Sequence, residues 1–88
     1  MVDHLIDAVA VEYRGGYTLR VTFEDGAVRD VDLSGQLQGP VFEPLKDTEL
    51  FRKAYVDPET MTVTWPGGAD AASDALYEMG VAVEGKAA

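Results

Sequence analysis

From Tyr17 to Phe23 the chain alternates without a break, Tyr17, Leu19, Val21 and Phe23 against Thr18, Arg20 and Thr22. That period of two places the apolar side chains on one face of an extended segment, the signature of a half-buried strand. Turn signals stand at both ends. Arg14-Gly15-Gly16 precedes the run and Glu24-Asp25-Gly26 follows it, and glycine there supplies the positive φ that a tight hairpin needs. On the far sides lie a Val- and Ala-rich run, Ile6 to Tyr13, with Val9, Val11 and Tyr13 on one face, and a second alternation from Val28 to Leu33. The pattern predicts a three-strand antiparallel meander.

The middle of the chain changes period. Ser34 to Pro40 reads as loop, and Val41-Phe42-Glu43-Pro44-Leu45, interrupted by proline, allows at most a helical turn. Asp47 is a suitable N-cap for a helix from Thr48 to Ala54. Glu49 stands near its start and Arg52 and Lys53 near its end, as the helix dipole favours, with Leu50, Phe51 and Ala54 toward the sheet. A further hairpin is predicted next. Tyr55-Val56 leads into a turn at Asp57-Pro58-Glu59-Thr60, and Met61, Val63 and Trp65 alternate with Thr62 and Thr64 before Pro66-Gly67-Gly68. Ala72, Ala75, Leu76 and Met79 then recur at helical spacing, with Gly80 as the C-terminal stop. The expected fold is α+β, a small antiparallel sheet (three-strand meander plus a further hairpin) with two short helices. It forms a single domain over 1–82, with a flexible tail over 83–88.

Charge narrows the function classes. Sixteen acidic residues against seven basic ones give a net charge of −9. Binding to nucleic acid depends on cations that displace counterions from phosphate, and the basic residues Arg14, Arg20, Arg29, Lys46, Arg52, Lys53 and Lys86 form no cluster. No apolar run approaches the roughly 20 residues of a membrane helix. The start Met1-Val2-Asp3-His4 has neither the basic nor the apolar region of a signal peptide, so a cytoplasmic location is expected, with no direct contact to nucleic acid or membrane.

No catalytic group stands out. The chain has no cysteine and a single histidine, His4, which alone makes neither a zinc site nor a triad. Ser34 and Ser73 lie outside any nucleophile elbow, and the glycines form no phosphate-binding loop. Asp30 and Asp32, two apart on a strand, point to one face. With Glu24 or Asp70 they are the candidates for a hard cation, against the plain reading of a solvated sheet face. No cofactor is expected. Trp65 ends a strand and enters a turn with two glycines and an acid. Either Asp70 caps the last helix while the glycines let backbone pass close to the indole, or Trp65, Gly68, Asp70 and Tyr77 form an interaction patch.

Three blocks carry a resemblance that spans residues 5 to 78: Phe23-x-Asp25-Gly26 with Val31-Asp32-Leu33; Val41-Phe42-x-Pro44-Leu45-x-Asp47 with Phe51 and Val56-Asp57; and Trp65-Pro66-x-Gly68-x-Asp70 with Leu76-Tyr77. In these the chain resembles DUF2442, a family of short bacterial proteins classed as a domain of unknown function. The resemblance implies an α+β fold and assigns no catalytic residue. Some relatives carry a helix-turn-helix domain after this one, which a chain ending at Ala88 is expected to lack, and others are encoded beside small toxin-like proteins. Relatives have a larger apolar residue after the acid of the third block and a proline soon after, where this chain has Ala71 and Ser73. The expected function is a non-enzymatic interaction module, the acidic partner of a toxin–antitoxin-like pair. The alternative is a domain that binds a small ligand or divalent metal. The expected partners are a basic protein or a second copy of the chain, meeting at an exposed sheet edge.

Overall fold

The computed structural model describes residues 6–83; His4, Lys86 and residues 84–88 of the expected tail lie outside them. The meander forms as its alternation requires. β1 (Ala8–Gly15), β2 (Thr18–Phe23) and β3 (Val28–Asp32) pair antiparallel in chain order. Leu19, Val21 and Phe23 of β2 are buried, opposite Tyr13, Val11 and Ala8 of β1. Gly15 and Gly16, at φ 109° and 55°, turn the first hairpin. One expected position is wrong. The β1–β2 register slips by a residue between Ala8 and Ala10, a bulge that turns Val9 outward, 44% exposed, and leaves Ala8 to fill the core. An extra residue in one strand inverts the alternation on one side of it, so Val9 does not share a face with Val11 and Tyr13.

Two prolines start turns instead of preventing them. α1 (Gly39–Phe42) and a 3-10 turn (Glu43–Lys46) each carry proline in the first turn, where its missing N–H would have had no partner anyway. Asp47 caps α2 (Thr48–Phe51) as expected, its Oδ1 accepting the Glu49 N–H at 2.9 Å. α2 stops at Phe51, short of the expected Ala54. Lys53 and Ala54 N–H groups bond back three residues, to Leu50 and Phe51 carbonyls, and tighten the chain into a turn.

A second sheet follows. β4 (Tyr55–Val56) pairs with β5 (Val63–Thr64), and β6 (Asp70–Ala71) adds a third strand in the order β4-β5-β6. Gly67 and Gly68, both at φ 105°, turn the chain between Trp65 and Ala69. Asp70 therefore lies in a strand opposite Thr64, and it does not cap the last helix. That helix, α3 (Ser73–Met79), has Ala72 at its N-cap with no side-chain bond. Ser73 in the first turn is buried and donates its hydroxyl to the Met61 carbonyl at 2.8 Å.

Gly80 ends α3 for a reason other than left-handed backbone, since its φ is −75° and ψ 155°. A Cβ there would lie 2.8 Å from the Arg29 Cβ and 3.0 Å from the Leu76 carbonyl oxygen. The absent side chain lets the helix end press against β3. The chain then continues as β7 (Val81–Ala82), a fourth strand of the first sheet, paired with Asp30 and Arg29 of β3. Val83 extends the pairing with an N–H to the Val28 carbonyl at 3.1 Å.

Gly80→Ala should thus force β3 and α3 apart. Overpacking of this kind costs about 1–3 kcal/mol, which lowers Tm by roughly 5 °C or more in a domain this small. Gly35→Ala, with nothing within 4 Å of the added carbon, should leave Tm unchanged in the same circular-dichroism melts.

Candidate functional site

Trp65 is 1% exposed and lies between the two sheets. Its ring sits 5.7 Å from Phe51 and edge-on to Phe42 at 6.4 Å. Its indole N–H donates to the Phe51 carbonyl at 2.9 Å. A buried indole needs such an acceptor, and this one fixes the ring as a wall.

Against that wall opens a groove of about 230 Å³. Leu33 and Leu37 line it from the loop after β3, and Phe42 from α1. Ala71 and Ala72 contribute from β6 and the chain after it, Ala75, Leu76 and Met79 from α3. Gln36 and Asp70 are the polar residues on its lining. Small alanines opposite large leucines create the space. The volume is below the roughly 300–1,000 Å³ of small-molecule sites and suits one inserted side chain. Leu76 is fully buried beneath it while Met79 remains 37% exposed at its mouth.

The patch expected from Trp65, Gly68, Asp70 and Tyr77 is only partly assembled. Trp65 and Asp70 both line the groove; Gly68 is in the turn that joins them, and Tyr77 faces elsewhere. The Tyr77 hydroxyl donates to Asp25 Oδ2 at 2.8 Å, its ring lies edge-on to Phe23 at 4.9 Å, and the Arg29 guanidinium carbon stands 3.9 Å above it. Arg29 also donates to the Tyr77 carbonyl at 2.7 Å, and its buried Nε has no hydrogen-bond partner among the described residues. The Ala27 N–H and then the Tyr77 hydroxyl hold Asp25 below the usual carboxylate range; the same bond raises Tyr77. This is a clamp between α3 and the β2–β3 hairpin.

The cation candidates are engaged or apart. Asp30 takes two bonds from Arg20, at 2.8 and 3.2 Å, which hold its carboxyl below the usual range and raise Arg20. Asp32 accepts the Ser34 N–H at 3.0 Å, which lowers it likewise. Asp70 is on the other sheet. Among the described residues no three His, Cys, Asp or Glu side chains come together in a way that could hold a metal ion. Sequence reading assigned Ala72, Ala75, Leu76 and Met79 to a core face and missed that this face is partly uncovered. The pairing of small residues there with Leu33, Leu37 and Phe42 was the available signal, and those residues are distant in the chain.

The family model described as protein of unknown function (DUF2442) matches residues 8–82. No curated protein and no solved structure matches. Among the described residues no helix is long and apolar enough to cross a membrane.

The Arg20–Asp30 pair gives a pH test. A depressed carboxylate contributes stability above the ordinary aspartate value of 3.8, and loses it as pH falls through its lower folded value. Asp30→Asn should therefore be less stable than wild type from pH 7 to about pH 5, and the gap should close on acidification below the ordinary aspartate range. Urea denaturation of both proteins across that range measures it; a gap independent of pH would refute the assignment.

Proposed function

The chain belongs to DUF2442, a family of unknown function, and from that premise we propose a non-enzymatic interaction module that holds a basic partner protein. The observation that carries this reading is the groove itself, apolar in its walls, with Asp70 the one acidic residue on its lining. Asp74 and Glu78 are exposed on the neighbouring α3. Five of the six described basic residues are engaged away from the groove: Arg14 with Glu12, Arg20 with Asp30, Lys46 with Glu43 and Arg52 with Glu49, and Arg29 with Tyr77; Lys53 is exposed and does not line the groove. No basic side chain lines the groove. An excess of acid draws a basic partner by long-range attraction, and the apolar pocket gives it a place to anchor.

The acidic half of a toxin–antitoxin-like pair, working in the cytoplasm, is the specific form of this reading that the family resemblance favours. A second copy of the chain is the weaker occupant, because two surfaces of net charge −9 repel one another.

Capture from an extract of the source organism tests the module, at low and at physiological salt, with Ala75→Leu run beside the wild type. Ala75 is exposed and lines the groove, so leucine fills the pocket while preserving helix propensity. A basic protein should be retained by the wild type, released as salt rises, and lost with the variant. Recovery of no protein at either salt would reject the module.

A further inference from the structure

We infer that the groove is the side-chain pocket of a strand-addition site. An extended segment of the partner pairs with the free edge of β6 and inserts one apolar side chain, flanked in its own sequence by basic residues. This rests on the interaction-module reading and names how the partner is held.

The free edge follows from the hydrogen bonding of the second sheet. The Trp65 N–H donates to the Ala69 carbonyl at 2.8 Å, and bonded pairs alternate with open ones along an antiparallel ladder. Thr64 and Asp70, the next partners, are therefore an open pair. The main-chain groups of Asp70 point away from β5, and β6 is the outermost strand on that side. Ala72, two residues on and extended at φ −63° and ψ 134°, turns its N–H the same way. Among the described residues, the Asp70 N–H, the Asp70 carbonyl and the Ala72 N–H have no hydrogen-bond partner. Both residues are exposed.

Side chains alternate about the same edge. Val63, Trp65 and Ala69 are buried on the inner face. Ala71 shares that face because it pairs with Val63, and Trp65 and Ala71 both line the groove. The Asp70 side chain points to the outer face, so what Asp70 presents to the groove is main chain. Groove and unpaired edge are thus one surface, the kind that an added strand takes up, with a pocket for alternate side chains. The partner residue beside Ala71 faces the groove, whose walls are apolar and whose volume of about 230 Å³ admits one side chain. Its neighbours lie on the outer face, where the Asp70 carboxylate has no hydrogen-bond or ion-pair partner among the described residues. Lysine or arginine there makes a cross-strand pair of opposite charge, whereas an acid meets a like charge.

Nitrogen-15-labelled protein titrated with the blocked peptide Thr-Lys-Leu-Lys-Thr tests this by NMR. At about ten times its Kd, the Asp70 and Ala72 amides should exchange with deuterium about tenfold more slowly than in the free protein. Serine in place of the peptide's leucine should weaken binding about tenfold, through lost burial. Asp70→Asn should weaken it about threefold, the size of one exposed ion pair. An unchanged affinity in either would overturn the side-chain assignment. Methylating the amide nitrogen of the leucine or of the second lysine, one at a time, should abolish binding in one case and spare it in the other, because alternate amides face the neighbouring strand. Equal binding by the two methylated peptides overturns strand addition. A peptide that moves the Ala75 and Met79 signals without protecting Asp70 and Ala72 overturns it too, while leaving the groove as the module's binding site. Silence with the peptide also overturns the inference, and the capture experiment then decides the module by itself.

Discussion

The bond from the Trp65 indole to the Phe51 carbonyl organises half of the molecule. A buried N–H left without an acceptor costs about 1–3 kcal/mol, and the acceptor here is at the end of a helix. α2 ends there, and the Phe51 carbonyl faces the second sheet. The Phe51 ring follows the same geometry. It meets Tyr13 and Tyr17 of the first sheet edge-on, at 6.1 and 5.4 Å, and Trp65 of the second at 5.7 Å. The Tyr17 hydroxyl adds a bond to the Lys46 carbonyl in the turn before α2. One short helix thus joins two small sheets, neither of which could bury its apolar face alone.

Met61 makes the second junction. Its carbonyl accepts the Ala8 N–H of β1 at 3.0 Å and the Ser73 hydroxyl of α3 at 2.8 Å. Met61 itself has a left-handed backbone at φ 58°, a conformation that costs a non-glycine residue roughly 1–2 kcal/mol. Two hydrogen bonds to elements far apart in sequence offset it. The second hairpin has short strands: of the alternation from Met61 to Trp65, only Val63 and Thr64 lie in a strand. With α3 tied to Met61 at one end and pressed on Arg29 at Gly80, the wall of the groove that carries Ala75 and Met79 is held at both ends.

Much of this was legible in the chain. The β2 alternation and its glycine turns specify the meander because they depend on neighbours two residues apart, and the cap at Asp47 depends on neighbours within one turn. What escaped depends on distant partners. The bulge at Val9 arises from how β1 meets β2, and β7 is a strand only because β3 lies beside it. Asp70 shows the limit most clearly. An acid shortly before an apolar helix reads as a cap, but pairing with Thr64 places it in a strand. Gly80 was located correctly for the wrong reason, since close packing and a left-handed cap leave the same residue in the sequence. Trp65 was open to two readings, a packed indole beside the glycine turn or part of an interaction patch; in the fold it is buried and forms the wall behind the groove.

The groove escaped the sequence for a related reason. Four separated segments build it, and each looks locally like core. A core face differs from a binding face only in whether something covers it, and that is a property of the assembled chain. A net charge of −9 attracts basic molecules of many kinds, weakly and with strong dependence on salt. Acidic surfaces that only keep a protein soluble have no need of such a pocket. No basic side chain lines the groove, and this coincidence of an apolar cavity with an acidic chain is what supports the proposed module.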